Sequence, residues 1–239
     1  MRFRFRLIPF IATLLLVALG LSLGQWQDRR ALEKTARGEL LAQRAGQAPL
    51  DIGMAALAPG DVEYRRVSAT GTFVPEWAVY LDNRPQGKQA GLYVLIPLRL
   101  SGSDRHVLVA RGWVPRNAAQ RERIVEYATP AGEVTVTGIA VAEMPRVMEL
   151  GTQPAIARGA ILQNIKPDAF AAASGLAVQP FFVQQEGDAG DGLVRDWPAP
   201  SLGVEKHQGY AFQWYALTVM ALLFFVITGF RSGKHKAKE

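Results

Sequence analysis

Two uncharged apolar blocks, Leu7 to Gly24 and Tyr210 to Phe230, constrain this 239-residue chain more than anything else in it. They hold 18 and 21 residues. At about 1.5 Å rise per residue, helices of that length cross or nearly cross a hydrocarbon layer roughly 30 Å thick. A freely soluble cytoplasmic chain is therefore the least fitting class, and a chain held in a membrane at both ends fits best. The first block also satisfies the pattern of a secretion signal. Arg2, Arg4 and Arg6 precede it, and Ala18 with Gly20, or Ser22 with Gly24, offers an imperfect cleavage site. Its length and the lack of a closing AxA favour a retained anchor, with cleavage as the alternative.

The net charge of +6 is concentrated at the ends. Arg2, Arg4 and Arg6 lie before the first block, and Arg231, Lys234, Lys236 and Lys238 lie after the second against Glu239, so the region between is balanced. Basic residues flanking membrane spans stay on the cytoplasmic side. The expected organisation is a cytoplasmic N-terminus (1–6), a first span (7–24), an exported domain (25–209), a second span (210–230) and a cytoplasmic tail (231–239). In a bacterial cell this is a multi-pass protein of the inner membrane with a periplasmic centre. The basic excess is thus a topology signal, and nucleic acid is not an expected partner. The chain has no cysteine. Disulfides, thiol nucleophiles and thiolate metal relays are excluded within it.

Between the spans, residues 25–44 are rich in helix formers and predict a solvated helical stalk, with Arg29–Glu33 and Glu33–Arg37 at ion-pair spacing and Trp26 at interfacial depth. One weak helical turn is expected over Leu50 to Leu57. From Arg65 onward the pattern changes to short alternating runs: Val67 to Phe73, Ala78 to Leu81, Leu92 to Leu100, His106 to Val114, Glu133 to Val141, Ala160 to Gln163 and Pro180 to Gln185. Asp82 to Pro85 reads as a turn, Pro97 favours an edge position or strand end, and Pro167 to Gly175 reads as a short helix. The fold class expected is α+β, two terminal transmembrane helices flanking a mainly antiparallel β domain that curls into a partly closed barrel.

The search for catalytic motifs yields none of HExxH, GxSxG, Walker A or GxGxxG. The acidic pair Asp188 and Asp191 falls in a glycine-rich stretch and reads as solvated surface. Three histidines are dispersed; His106 falls in a strand and His235 in the basic tail. His207 stands just outside the second apolar block, with Tyr210, Ala211 and Trp214 at i+3, i+4 and i+7 on one helix face. An interfacial aromatic belt explains this pattern, and so does an axial contact to a planar amphiphilic iron cofactor. Gly20 and Gly24 form a small-xxx-small pair that lets a second helix approach closely.

Several runs together carry a family resemblance: Leu23-Gly24-Gln25-Trp26-Gln27 with Arg30 and Lys34; Gly71-Thr72-Phe73; Leu81-Asp82-Asn83-Arg84 with Gly87 and Gly91; Pro97-Leu98; Val107 to Pro115; and His207 with Gly209-Tyr210-Ala211-Phe212-Gln213-Trp214. In this order, between two anchors, the chain resembles a bacterial member of the Surfeit-locus family of cytochrome c oxidase assembly factors. The resemblance implies a non-enzymatic membrane factor that aids insertion or stabilisation of haem a in the catalytic subunit of the haem-copper oxidase. It names that subunit, and the haem a synthesis enzymes, as candidate partners. It makes His207 the candidate axial ligand of the haem iron, with Tyr210 and Trp214 beside it. Gln208 departs from the apolar or small residue common at that place. Arg29, Arg30 and Arg84 are candidate propionate contacts; the first two equally suit surface positions, and Arg84 equally suits a shaped turn. A membrane-anchored scaffold without cofactor is the alternative.

Overall fold

The first apolar block and the polar stretch after it form one uninterrupted helix, α1 (Leu7–Ala45). Pro9 is tolerated because it falls in the first turn, where its missing N–H has no intrahelical acceptor to serve. From Gln25 onward Ala, Leu, Arg, Glu and Lys sustain the helix by intrinsic propensity. It stops at Gly46, whose N–H reaches Ala42 O at 3.1 Å. The second apolar block lies in α4 (Val204–His235). Both helices are long and apolar enough to cross a membrane. The computed structural model describes residues 3–53, 55–149, 151, 154–198 and 202–235. The flanking charges Arg2, Lys236, Lys238 and Glu239, and the Ala199–Pro200 step, lie outside these residues. The chain divides into two compact units, one of residues Met1–Leu40 with Pro200–Glu239 and one of Leu41–Ala199.

The second unit contains β1 (Leu50–Asp51), α2 (Pro59–Val62), β2 (Arg66–Phe73), β3 (Val79–Leu81), β4 (Gly91–Leu100), β5 (Arg105–Pro115), β6 (Glu133–Val141), β7 (Ile161–Leu162), α3 (Pro167–Ser174) and β8 (Ala177–Gln185). The strands form one sheet in the order β1-β2-β6-β8-β5-β4-β3-β7, and β2 also pairs β4, so the pairings β2–β6–β8–β5–β4–β2 make a closed circuit. Most pairs are antiparallel; β1–β2, β3–β7 and β5–β8 are parallel.

Alternation decides which side each residue serves. In β2 every second residue, Val67, Ala69, Gly71 and Phe73, is buried, and Val94, Ile96, Leu98, Val107, Val109, Phe181 and Val183 join the same apolar cluster. The interleaved residues Tyr93, Leu95, Leu108, Ala110 and Phe182 form a second cluster with Leu81, Trp113 and Phe170. Strands β4 and β5 are buried on both faces, which is why they read as continuous apolar runs. Each fully buried side chain of this kind contributes about 1.5–3 kcal/mol over leaving it in water.

Two expectations need correction. Leu50 and Asp51 are not a helical turn: they pair in parallel with Val67 and Ser68, and helix begins only at Pro59, whose ring suits a first helical position. Pro97 is not at an edge. It pairs with Leu108 of β5 in the middle of β4. On its other side β4 changes partner, from β3 at residues 93–95 to β2 at residues 98–100, so the missing N–H falls where no ladder bond is required. Its carbonyl accepts from Val74 N at 2.8 Å. The turn expected at Asp82–Pro85 lies a few residues later, at Gly87 and Lys88 inside the Gln86–Gln89 bridge; Asn83 has φ 58°, a left-handed conformation that Asn tolerates better than most residues. Helix α3 ends as expected, at Gly175 with φ 73°.

Candidate functional site

The helix-pair unit is organised by a stripe of small and polar residues. Gly20, Gly24, Gln27 and Ala31 are the buried residues of α1, a spacing of four, three and four that keeps them on one face. Ala211 and Thr218 are buried on α4. A Cβ on Gly20 would collide with Thr218 Oγ1 and lie 3.2 Å from the Trp214 carbonyl oxygen, and one on Gly24 would lie 2.5 Å from the Tyr215 ring. Glycine at both places is what allows the helices this separation. Further along, a Cβ on Gly38 would lie 2.6 Å from Leu202 Cδ1. The pairing is therefore antiparallel over most of the α1 stripe. At the other end Phe3 packs edge-on against Phe225 and Phe230, with ring centroids 5.8 and 5.4 Å apart.

Polar groups on this stripe are matched one to one. Thr218 Oγ1 donates to Trp214 O at 2.9 Å, one turn back on its own helix. Tyr215 Oη donates to Asp28 Oδ2 at 2.6 Å. His207 Nδ1 lies 2.6 Å from Gln27 Oε1. A polar group in an apolar setting costs several kcal/mol unless bonded, and here each partner is supplied by the adjacent turn or the adjacent helix.

The sequence-predicted residues separate accordingly. His207 is half-buried on the packed side of α4 and Trp214 is half-buried, whereas Tyr210 is 53 % exposed. Arg29 and Arg30 are exposed on α1. Arg30 pairs with Glu33 at 2.9 Å, one residue closer than the expected i,i+4 spacing, and its guanidinium carbon lies 6.0 Å from the Trp26 ring centre. Three contributors were missed in the sequence: Gln27, Asp28 and Tyr215. Spacing puts Gln27 and Asp28 one turn beyond Gly24 and Tyr215 about two turns beyond His207, on or near the packed faces, but it does not mark which residue partners which.

Arg84 belongs to the sheet unit and is buried. Its guanidinium donates to the carbonyl oxygens of Asp82 at 3.1 Å and Gln163 at 2.8 Å, while its own carbonyl accepts from Trp113 Nε1 at 2.6 Å. It ties the segment after β3 to β5. Nearby in sequence space, Arg111 sits on β5 with no exposure and pairs with Asp191 at 2.5 Å. Arg195 pairs with the same Asp191 oxygen at 2.5 Å. Arg111 also donates to Ala128 O and Thr129 Oγ1 and lies 4.8 Å over the Phe73 ring. The glycine-rich stretch predicts a solvated Asp191; the residue is instead the buried counter-charge of two arginines. Glycine-rich sequence suggested an exposed tip, but the pull of two cations in an apolar interior outweighs local composition.

An open cavity of about 520 Å³ in the sheet unit is lined by Arg99, Asp104, Glu76 and His106 among others. His106 is 6 % exposed, and burial pulls its imidazole below the ordinary histidine range. Among the described residues no group of three or more His, Cys, Asp or Glu side chains is arranged to hold a metal ion.

The profile of the SURF1 family matches residues 14–219, which takes in the sheet unit, most of α1 and the first half of α4. The protein Surfeit locus protein 1 of Arabidopsis thaliana is 31 % identical over 135 residues, covering 48 % of this chain and 38 % of that relative. The match thus spans well under two thirds of the relative's length. On the extent of the profile match, which joins the glycine stripe, His207 and the strand circuit in one continuous alignment, the chain belongs to the SURF1 family.

Proposed function

We propose that this chain is an inner-membrane assembly factor for the haem-copper, or cytochrome c, oxidase, and that it holds haem a through His207 while the catalytic subunit is being built. The observation that carries the reading is one half-buried histidine in the first turn of α4, just before its apolar block, packed on α1 in a member of this family. The donor set fits the group. The ring of His207 is bonded to a neutral amide, not a carboxylate, and a neutral imidazole offers one nitrogen lone pair to iron. Tyr210 and Trp214 follow on the same helix as apolar ring surface; the exposed Arg29 is a candidate propionate contact, and Arg30 would serve as one by exchanging its Glu33 partner. We assign Arg84 to the sheet unit, where its guanidinium is held by the carbonyls of Asp82 and Gln163. When bound, haem a would supply the redox-active iron that the oxidase needs; His207 would hold the iron, with the rings of Tyr210 and Trp214 beside it on the same helix. The strand circuit reads as a small barrel-like platform on the exported side, where the oxidase subunit and haem a synthesis enzymes are partners.

The test is purification of the full chain and its H207A variant in mild detergent from cells making haem a, with absorption spectra at matched protein. Haem in the parent and its loss or shift in the variant supports the reading. Identical spectra eliminate ligation, and a parent without haem favours a cofactor-free scaffold. Compartment reporters at the C-terminus and at 187–192 should read cytoplasm and exported side respectively; the same side for both sinks the topology.

A further inference from the structure

An imidazole can ligate iron through only one of its nitrogens at a time, and the other nitrogen must carry the proton. Which one does so is set by the hydrogen bond that the other nitrogen makes. His207 Nδ1 lies 2.6 Å from Gln27 Oε1. An amide oxygen can only accept, so this contact requires the proton on Nδ1 and leaves Nε2 with its lone pair. Gln27 is 9 % exposed and sits between Gly24 and Ala31 on the buried stripe of α1. It is held in the helix contact and does not sweep freely through solvent. The next residue, Asp28, is already engaged by Tyr215 at 2.6 Å, which keeps a competing carboxylate off the imidazole.

We propose that Gln27 is the positioning residue of the His207 site: it selects the Nδ1–H tautomer and makes Nε2 the nitrogen that is open to a metal centre. The inference rests on the haem reading of His207 for its purpose, but the tautomer itself is a property of the chain alone. A reversed Gln27 amide would donate to Nδ1, place the proton on Nε2 and block ligation there. The two arrangements are chemically opposite, so they can be told apart.

The experiment has an arm without haem and an arm with it. In the first, the full chain is labelled with ¹⁵N-histidine, held in detergent at a pH where the imidazoles are neutral, and its ring nitrogens are read by long-range ¹H–¹⁵N correlation. The chain has three histidines, so H106Q and H235Q variants assign His207. The parent should show the Nδ1–H tautomer. Gln27→Met, close in size but without an acceptor, should move His207 toward the Nε2–H form, and Gln27→Glu should keep Nδ1–H. A parent in the Nε2–H form, or a tautomer indifferent to Gln27→Met, overturns the proposal.

In the second arm the same proteins are loaded with haem a and the iron–imidazole stretch is recorded by resonance Raman. Loss of an outer partner of a metal-bound histidine typically lowers affinity about 10- to 100-fold. Gln27→Met should therefore retain about tenfold less haem on washing and shift the stretch down. Gln27→Glu, a stronger acceptor, should shift it up. A change that merely loosens the helix pair would not move the two variants in opposite directions. Shifts of one sign in both overturn the positioning role. Haem bound by the parent and kept by H207A removes the ligation reading and leaves the tautomer result to stand or fall on the first arm.

Discussion

Two buried polar clusters in this chain are built on opposite rules. Arg111, Asp191 and Arg195 are charged, with side chains exposed by no more than 5 %. Gln27 and His207 form a pair built on an amide and an imidazole, one partner buried and the other half-exposed. Desolvating charge is costly, and a buried ion pair that loses a partner leaves an uncompensated charge. The arginine cluster therefore ties strand β5 to the loops at 128–129 and 191–195. A neutral hydrogen bond contributes only about 1 kcal/mol net and leaves a ring nitrogen unused. The first arrangement makes structure; the second leaves chemistry available.

The contrast can be broken most forcefully at its charged end. Asp191→Asn preserves shape but strips two arginines of their counter-charge, and the sheet unit should lose about 3–5 kcal/mol, read as a lower unfolding midpoint of its β signal in the full-length chain. An unchanged midpoint would mean that the cluster is held by its surroundings.

Next comes the helix stripe. Gly20→Leu with Gly24→Leu drives side chains into Thr218 and Tyr215, and overpacking of this kind costs about 1–3 kcal/mol per site. Crosslinking between single cysteines placed on α1 and α4, in a chain with none of its own, should fall; persistent crosslinking would show that the helices do not meet through these glycines.

A milder cut is Tyr215→Phe. It removes the bond to Asp28 at a half-exposed carboxylate that water can serve instead, so about 1 kcal/mol should be lost, with crosslinking reduced but present. A loss as large as that from Asp191→Asn would erase the distinction drawn between the clusters.

The smallest effect concerns His106. Burial holds its folded imidazole below the ordinary range, so as pH falls the unfolded chain takes up a proton first. The stability that neutral His106 contributes at pH 7 and above is then lost progressively below about pH 6.5. His106→Gln should flatten the midpoint-against-pH curve between pH 7 and 5, and an identical slope in both proteins would show that another group titrates there.

The β-strand runs were legible because alternation and β-branched content report burial directly: Glu133–Val141 is a strand over the span its pattern predicted, and Val67 to Phe73 faces the core at every second residue. The small pair Gly20 and Gly24 was legible for the same reason, since helical spacing is local. Leu50–Asp51 was misread because a two-residue strand has no period of its own and exists only through its partner β2. Pro97 was misread because proline's penalty depends on which neighbour needs its N–H, and that neighbour changes midway along β4.

The amino-acid sequence by itself determined that two uncharged apolar blocks flank the middle of the chain, that strands fill that middle, and that His207 marks a boundary between apolar and polar segments. These are consequences of composition and periodicity within a few turns. Only the tertiary structure decided that β2 pairs both β6 and β4 and so closes the circuit, that Asp191 is buried between two arginines, and that Gln27, 180 residues away in sequence, is the partner of His207. The physical reason is the same in each case. A pairing across that distance is chosen by which groups the packed chain brings together away from water, and neither member carries a local mark of the other.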